Sequence, residues 1–288
     1  MTVQMRTYRL RLTAVLGCML AITMVSCKKE GALTATDDNR LYKLPQGNQP
    51  FDQQIMQFYG TYKTVILYKF SEADFNYTPN GPIDAGAKAK EAGNANVQQA
   101  LDFLHQQWLR FYTPEFLQKA LPLKILLAND LSYPDRQYRS MNEVKPLIYP
   151  AARGGYNGIT FGWVDKIATL TPAQIDSARG WLNSEFLGLA MMNKMLELPK
   201  SFAALTNYGG TNPYLAQHGI FVYYQSMTVY QDLTDYFRMI TTNDYATISS
   251  NFLTPAKDPF GKYRAKYDAL TTFFKDKYNI DLQAIGNL

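Results

Sequence analysis

The sequence predicts an α+β fold, mostly helical with a small sheet. Three observations carry this. Short apolar or β-branched runs are confined to the first half of the folded part, helical spacing dominates the second half, and no internal repeat is present. Strands first and helices afterwards is the element order of α+β domains.

In chain order, "FDQQIMQFYGTYK" places Phe51, Ile55, Met56 and Tyr59 on one face of a helix. "TVILYKF" (64–70) is β-branched and aromatic, and predicts a strand. "NYTPNGPIDAGAKAKEAGNA" (76–95) has loop composition. Helical spacing returns through Val97, Leu101, Leu104, Trp108 and Phe111, and "TPEFLQKAL" adds a helix with Thr113 as N-cap and Pro114 in its first turn. "PLKILLAND" and "NGITFGWVD" are the second and third strands. The 26 residues between them, 131–156, form a long loop rich in Tyr, Arg and Pro, of a length that is commonly functional.

The longest helix opens at "LTPAQID", where Thr171 and Gln174 form a capping box around Pro172. Its apolar positions run through Ile175, Ala178, Leu182, Phe186, Leu189 and Leu196, and it stops near Pro199. After a loop at "NYGGTNPYLAQHG", helices are predicted over "MTVYQDLTDYFRMI" and over "DPFGKYRAKYDALTTFFKDKYNI", the second with Asp258 as cap and Pro259 in its first turn.

The N-terminus is not part of that fold. "MTVQMRTYRLRL" carries Arg6, Arg9 and Arg11 without an acid, and the apolar "LTAVLGCMLAITMVSC" follows. A basic start, a short apolar run and a small-residue cleavage site describe a secretory signal. "MVSC" resembles the lipobox of bacterial lipoproteins, with Met24 where Leu is usual, and so places the lipidated residue at Cys27. The expected organisation is a lipoprotein signal peptide over 1–26, a polar flexible tether over 27–50 and a single domain over 51–288. Several acyl chains on Cys27 would hold the protein stably at a membrane. "KKE" after that cysteine resembles the signal that sends some Bacteroidota lipoproteins to the cell surface. An outer-membrane lipoprotein on its periplasmic or cell-surface face is the expected location.

Composition excludes several function classes. Without the three signal arginines the charge balance is 26 basic against 24 acidic residues, with no basic stripe, which leaves nucleic-acid binding without support. Of the two cysteines, Cys18 lies in the signal and Cys27 is the lipidation site, so no disulfide or cysteine nucleophile is expected. With only His105 and His218 and no Gly-x-Ser-x-Gly elbow, a serine triad has no basis. His105 belongs to a helical pattern and His218 to a loop or cap.

The order of these elements resembles a family of zinc metallopeptidase lipoproteins of the Bacteroidota, also described as substrate import-associated zinc metallohydrolase lipoproteins. The likeness takes in the lipobox, "PLKILLAND", "NGITFGW", the helix at "WLNSEFLGLAMMNKM" and the two late helices. It implies a zincin-like fold and an association with TonB-dependent import. In that family the helix carries His-Glu-x-x-His, whose two imidazoles share one helix face and hold zinc while the glutamate polarises the metal's water. Aligned on Glu185, the histidine positions are Ser184 and Gly188, so the glutamate stays and both ligands are gone. A hydroxyl and a bare backbone cannot replace imidazoles for zinc.

The resemblance therefore implies a metallopeptidase-like accessory protein without catalysis, with Glu185 a vestigial general base and no zinc. The family's later acidic helix corresponds to "QDLTD", where Gln231, Asp232 and Asp235 stand. With Glu185, Asp232 and Asp235 are weak candidates for a hard cation such as Ca²⁺. The vacated positions predict a shallow pocket floored by Gly188, flanked by Ser184 and Glu185, with Asp232 and Asp235 opposite. Tyr223, Tyr224 and Tyr230 are candidate contacts for a peptide or glycan, since a ring offers apolar area and a polar tip. Two alternatives stay open: an active metal-dependent hydrolase with non-standard ligands, and a structural partner of an outer-membrane transporter. Without the family likeness, Glu185 reads as a solvated or capping carboxylate on an ordinary amphipathic helix.

Overall fold

The structure, a computed structural model, describes residues 42–76, 78, 86–134, 147–209, 215–222 and 227–288. Cys27, Tyr223 and Tyr224 lie outside them. Residues 44–288 form one compact unit. Its start lies earlier than the end of the expected tether: Leu44 is buried, and Gln46 accepts the backbone N–H groups of Tyr68 and Lys69.

Helix α1 (Pro50–Tyr62) leads into strand β1 (Val65–Leu67), a short helix α2 (Glu72–Asn76) and strand β2 (Lys88–Glu91). Helices α3 (Val97–Gln107) and α4 (Pro114–Ala120) follow. Next come β3 (Lys124–Pro134), β4 (Leu147–Ile148), β5 (Ala152–Gly154) and β6 (Gly158–Phe161). The rest is helical: α5 (Pro172–Met192), α6 (Lys200–Ala203), α7 (Leu215–His218), α8 (Val229–Thr242), α9 (Tyr245–Phe252), α10 (Lys262–Tyr278) and α11 (Leu282–Gly286). This is the α+β arrangement that the element order predicts.

Strand β3 organises the sheet. Its first four residues pair in parallel with β1 on one side and β6 on the other, and β5 closes the edge antiparallel to β6. Parallel strands covered on both faces read as unbroken apolar runs, and every residue of β1 and β6 is buried. The far half of β3 pairs antiparallel with β2 and β4. Strands β2, β4 and β5 fall inside the two stretches with loop composition. Their two to four residues are too few to carry a period; the long β3 supplies the pairing of β2 and β4, and β6 that of β5.

The helical half differs from expectation at its ends. Helix α5 has its Thr171–Gln174 capping box but stops at Met192, where Lys194 turns left-handed at φ 59°. Leu196 remains buried beyond that end. Helix α10 starts at Lys262, three residues later than expected. Asp258 still caps it from outside: one carboxylate oxygen accepts Tyr263 N–H at 3.1 Å and the other accepts Arg264 N–H at 2.8 Å. Helices α9 and α11 have separate Asp caps, Asp244 and Asp281, too short a pattern for periodicity to reveal.

Helix α5 lies at the centre. From Ala178 to Met191 its buried residues include apolar and polar side chains, as expected of a helix surrounded by protein. Phe186 meets Trp108, Tyr112 and Phe116 edge-on, with centroids 5.1–6.1 Å away; each such pair adds roughly 0.5–1.5 kcal/mol to the area it buries. Asn183 is fully buried but satisfied, accepting Tyr112 O–H at 2.7 Å and donating to the Gln107 and Arg179 carbonyls. Asp258→Ala strips two amides of their acceptor and is expected to cost about 1–2 kcal/mol. Denaturant midpoints of wild type, Asp258→Ala and Asp258→Asn test this, with Asn recovering part of the loss.

Candidate functional site

The positions that would hold metal on α5 are filled by helix packing. Gly180, Ser184 and Gly188 recur every four residues on α5, and Thr234, Arg238 and Thr242 recur every four on α8. A Cβ on Gly188 would lie 2.5 Å from Thr234 Oγ1, and one on Gly180 would overlap Thr242 Oγ1. The two helices thus cross antiparallel, with one row of small residues receiving the facing i, i+4 ridge. Ser184 is fully buried between them, and its hydroxyl donates to its own helix at Trp181 O, 3.1 Å away. Beside the seam the Arg238 guanidinium covers the Trp181 ring at 4.4 Å, and Arg179 Nε donates to the Thr241 carbonyl.

The pocket expected over Gly188 is therefore closed. Thr234, whose hydroxyl donates to Tyr230 O at 2.8 Å, occupies that space. The reason is local: a residue without a side chain on a central helix lets the neighbouring backbone approach. Tyr230 is half-buried and packs against the core, and depressions in the described surface lie elsewhere, on α10 and beside Trp163.

Glu185 points to the other side of α5, toward the sheet edge. Its Oε2 accepts the Gly154 N–H of β5 at 2.7 Å. In the β5–β6 pairing, Gly155 N–H and Ala151 C=O bond to β6, so the amide of Gly154 faces outward from the edge. A Cβ at 154 would sit 2.8 Å from that carboxylate oxygen, so glycine lets the carboxylate approach this closely. The carboxylate thus holds an edge-strand amide that would otherwise face solvent or a bound chain.

Asp232 and Asp235 are buried but do not join Glu185. Asp232 stands two residues before Thr234, which turns it about 160° away from the α5 seam. Its Oδ2 accepts Tyr208 O–H at 2.6 Å and forms an ion pair with Lys266 of α10, both side chains wholly buried. Lys266 Nζ also donates to Gly219 O at 3.1 Å and lies 5.2–5.8 Å from the ring centres of Phe202, Tyr208 and Tyr236. Burial pushes the Asp232 carboxyl up, against the pull of Lys266, and pushes the Lys266 ammonium down, against the pull of Asp232. Burial and the Asp232 charge push the Tyr208 phenol up. An internal ammonium thus occupies the cation position that Asp232 offers. Asp235 pairs with Arg238 at 2.7 Å.

Gln231, the amide in the acidic pattern, is the capping-box partner of Thr228 at the start of α8, its Oε1 accepting Thr228 N–H at 2.9 Å. His105 is exposed on α3, and His218 ends α7 with Nε2 buried and unbonded among the described residues. Among the described residues no three His, Cys, Asp or Glu side chains come close enough to hold a metal ion. Sequence reasoning missed Gly154, Thr234, Tyr208 and Lys266. The paired four-residue spacings at 180/184/188 and 234/238/242 were the available signal for Thr234; nothing local marks the others.

No family model matches the chain, and no curated protein matches it. Among solved structures it is similar to one described as a "putative zinc-binding metallo-peptidase" from Bacteroides caccae, with 15% identity and a TM-score of 0.53. The match covers 82% of this chain and 88% of that one. The likeness is one of fold. Among the described residues no helix is long and apolar enough to cross a membrane.

Two expectations follow. Gly188→Ala gains helix propensity of roughly 1 kcal/mol but forces Thr234 away, and should be destabilising overall by about 1–3 kcal/mol. Thr234→Ala in the same chain should recover most of that loss, a non-additivity measurable by chemical denaturation. Lys266→Met leaves the Asp232 carboxylate buried without its cation and should cost about 3–5 kcal/mol, whereas Lys266→Met with Asp232→Leu should cost far less.

Proposed function

We propose that this protein is a lipid-anchored accessory protein on a metallopeptidase-like, zincin-like scaffold that no longer performs metal-dependent hydrolysis. In this reading Cys27 carries the anchor at the outer membrane, on its periplasmic or cell-surface face. The domain serves a TonB-dependent nutrient import system by binding a peptide or glycan. The fold likeness to a protein described as zinc-binding supports the scaffold, and the basic, apolar and "MVSC" segments support the anchor.

One observation carries the loss of catalysis. Both positions that a zinc helix needs for imidazoles, Ser184 and Gly188, lack an imidazole and are buried, Gly188 directly against Thr234 of α8. The glutamate between them is held by the Gly154 amide. A metal-activated water requires an open coordination position and a base beside it, and this arrangement offers neither. The scaffold keeps the helix and changes its use from coordination to packing.

Metal analysis of purified protein lacking the first 27 residues tests the reading, with Glu185→Ala as control. Substoichiometric zinc in both proteins is expected. One equivalent of a divalent ion, lost in Glu185→Ala, would overturn the proposal in favour of a hydrolase with non-standard ligands. Reinstating the ligands as Ser184→His with Gly188→His should likewise give no stoichiometric zinc, because both rings would have to displace α8. A lowered denaturation midpoint without a zinc-dependent rise is the outcome that checks this.

A further inference from the structure

The depression beside Trp163 gathers several donors that are not in use around two aromatic rings. It lies where the chain leaves β6 for α5, and is lined by Tyr149, Trp163, Lys166, Thr169, Leu170 and Gln174. Several other tyrosines are committed within the fold: Tyr112 to Asn183, Tyr208 to Asp232, Tyr236 to Gly219 and Tyr263 to Ile220. Here the Tyr149 hydroxyl, the Trp163 indole N–H, the Lys166 ammonium and the Gln174 amide NH2 have no partner among the described residues. Gln174 uses only its oxygen, in the α5 capping box. Neither ring stacks on another described ring, and Tyr149 is 59% exposed.

We propose that this depression binds an anionic sugar residue, a uronate within a glycan. The argument is one of complementarity. The exposed Tyr149 ring and the uncovered side of the half-buried Trp163 suit the flat C–H side of a pyranose, and such rings combine apolar area with a polar tip. All four unused groups can donate, the Tyr149 hydroxyl alone among them also accepts, and the lining contains no carboxylate. A neutral sugar presents hydroxyls that must donate as well as accept, and acidic side chains usually take those protons; a carboxylate on the sugar only accepts. Lys166 Nζ then forms a charge-assisted hydrogen bond with that carboxylate, while the free Gln174 Nε2 amide donates to a ring or hydroxyl oxygen. The volume, about 260 Å³, falls just below the roughly 300–1,000 Å³ of sites for drug-sized ligands. It accommodates one ring rather than an extended chain.

This inference rests on the accessory-binding reading above and adds a ligand class and a place, away from the α5–α8 seam. The test is titration calorimetry of the same purified protein against oligogalacturonate, oligomannuronate and glucuronate-containing oligosaccharides, each with a neutral oligosaccharide of equal length, and against an oligoglutamate peptide. At least one uronate should bind, with its neutral counterpart and the peptide at least tenfold weaker. Gln174→Glu keeps the capping box, which accepts either residue, but adds a negative charge; Lys166→Gln removes the cation. Each should weaken binding at least tenfold while leaving the denaturation midpoint unchanged, and Trp163→Ala should do so with some loss of stability. Absence of uronate binding, equal binding of the neutral sugar or the peptide, or full affinity in both Gln174→Glu and Lys166→Gln would overturn it. Metal content is measured separately, so a zinc-bearing protein that bound uronates would sink the loss of catalysis and leave this site standing.

Discussion

The close crossing of α5 on α8 is the constraint from which most of the structure follows. Helices pack by fitting ridges into grooves, and the separation is set by the side chains at the contact. Gly180, Ser184 and Gly188 leave so little between the two backbones that Thr234 and Thr242 fill the gap. That closeness fixes what lies on the other faces of α5. Phe186 meets the Trp108, Tyr112 and Phe116 rings, Asn183 ties in Gln107 and Tyr112, and Glu185 reaches the edge strand. One helix therefore joins the sheet, the first helical layer and the C-terminal helices.

Buried charge has been handled in the same spirit. A carboxylate removed from water needs a cation or several donors. Asp232 has Lys266 and Tyr208, and Glu185 has a backbone amide; Asp235 has Arg238. Each carboxylate that the sequence offered as a metal ligand is thus engaged within the fold, by a different element in each case. The Lys266 ammonium also fixes the carbonyl of Gly219, which Tyr236 shares, while Tyr263 holds Ile220. The pair thereby ties Gly219, which follows α7, to α10. Such a pair is weak evidence for stability in itself; its evident contribution here is to hold that residue in place.

The sequence made the major elements legible and the relations between them much less so. The capping box at Thr171 and the Thr113 cap marked helix starts because these signals are local and chemical. Strand β5 was invisible because Ala152, Arg153 and Gly154 have no alternation, and its identity depends on β6 lying alongside. The same limit applies to the site. The resemblance set Ser184 and Gly188 at the ligand positions of a zinc helix, but whether the space over Gly188 is open depended on Thr234, forty-six residues after it. Lys266 carried no mark at all, since a lysine in a Lys- and Tyr-rich helix looks solvent-facing until its neighbours are placed.

The energetics show how α5 and α8 come to lie so close. A chain of this length can bury a sizeable core, because burial grows with size. Two glycines inside α5 cost about 2 kcal/mol together in helix propensity. Burying one large apolar side chain returns about 1.5–3 kcal/mol, and Leu182, Phe186, Leu187, Leu233 and Phe237 are all fully buried along the two helices. Close packing therefore outweighs the glycine penalty. An imidazole at either 184 or 188 would meet α8.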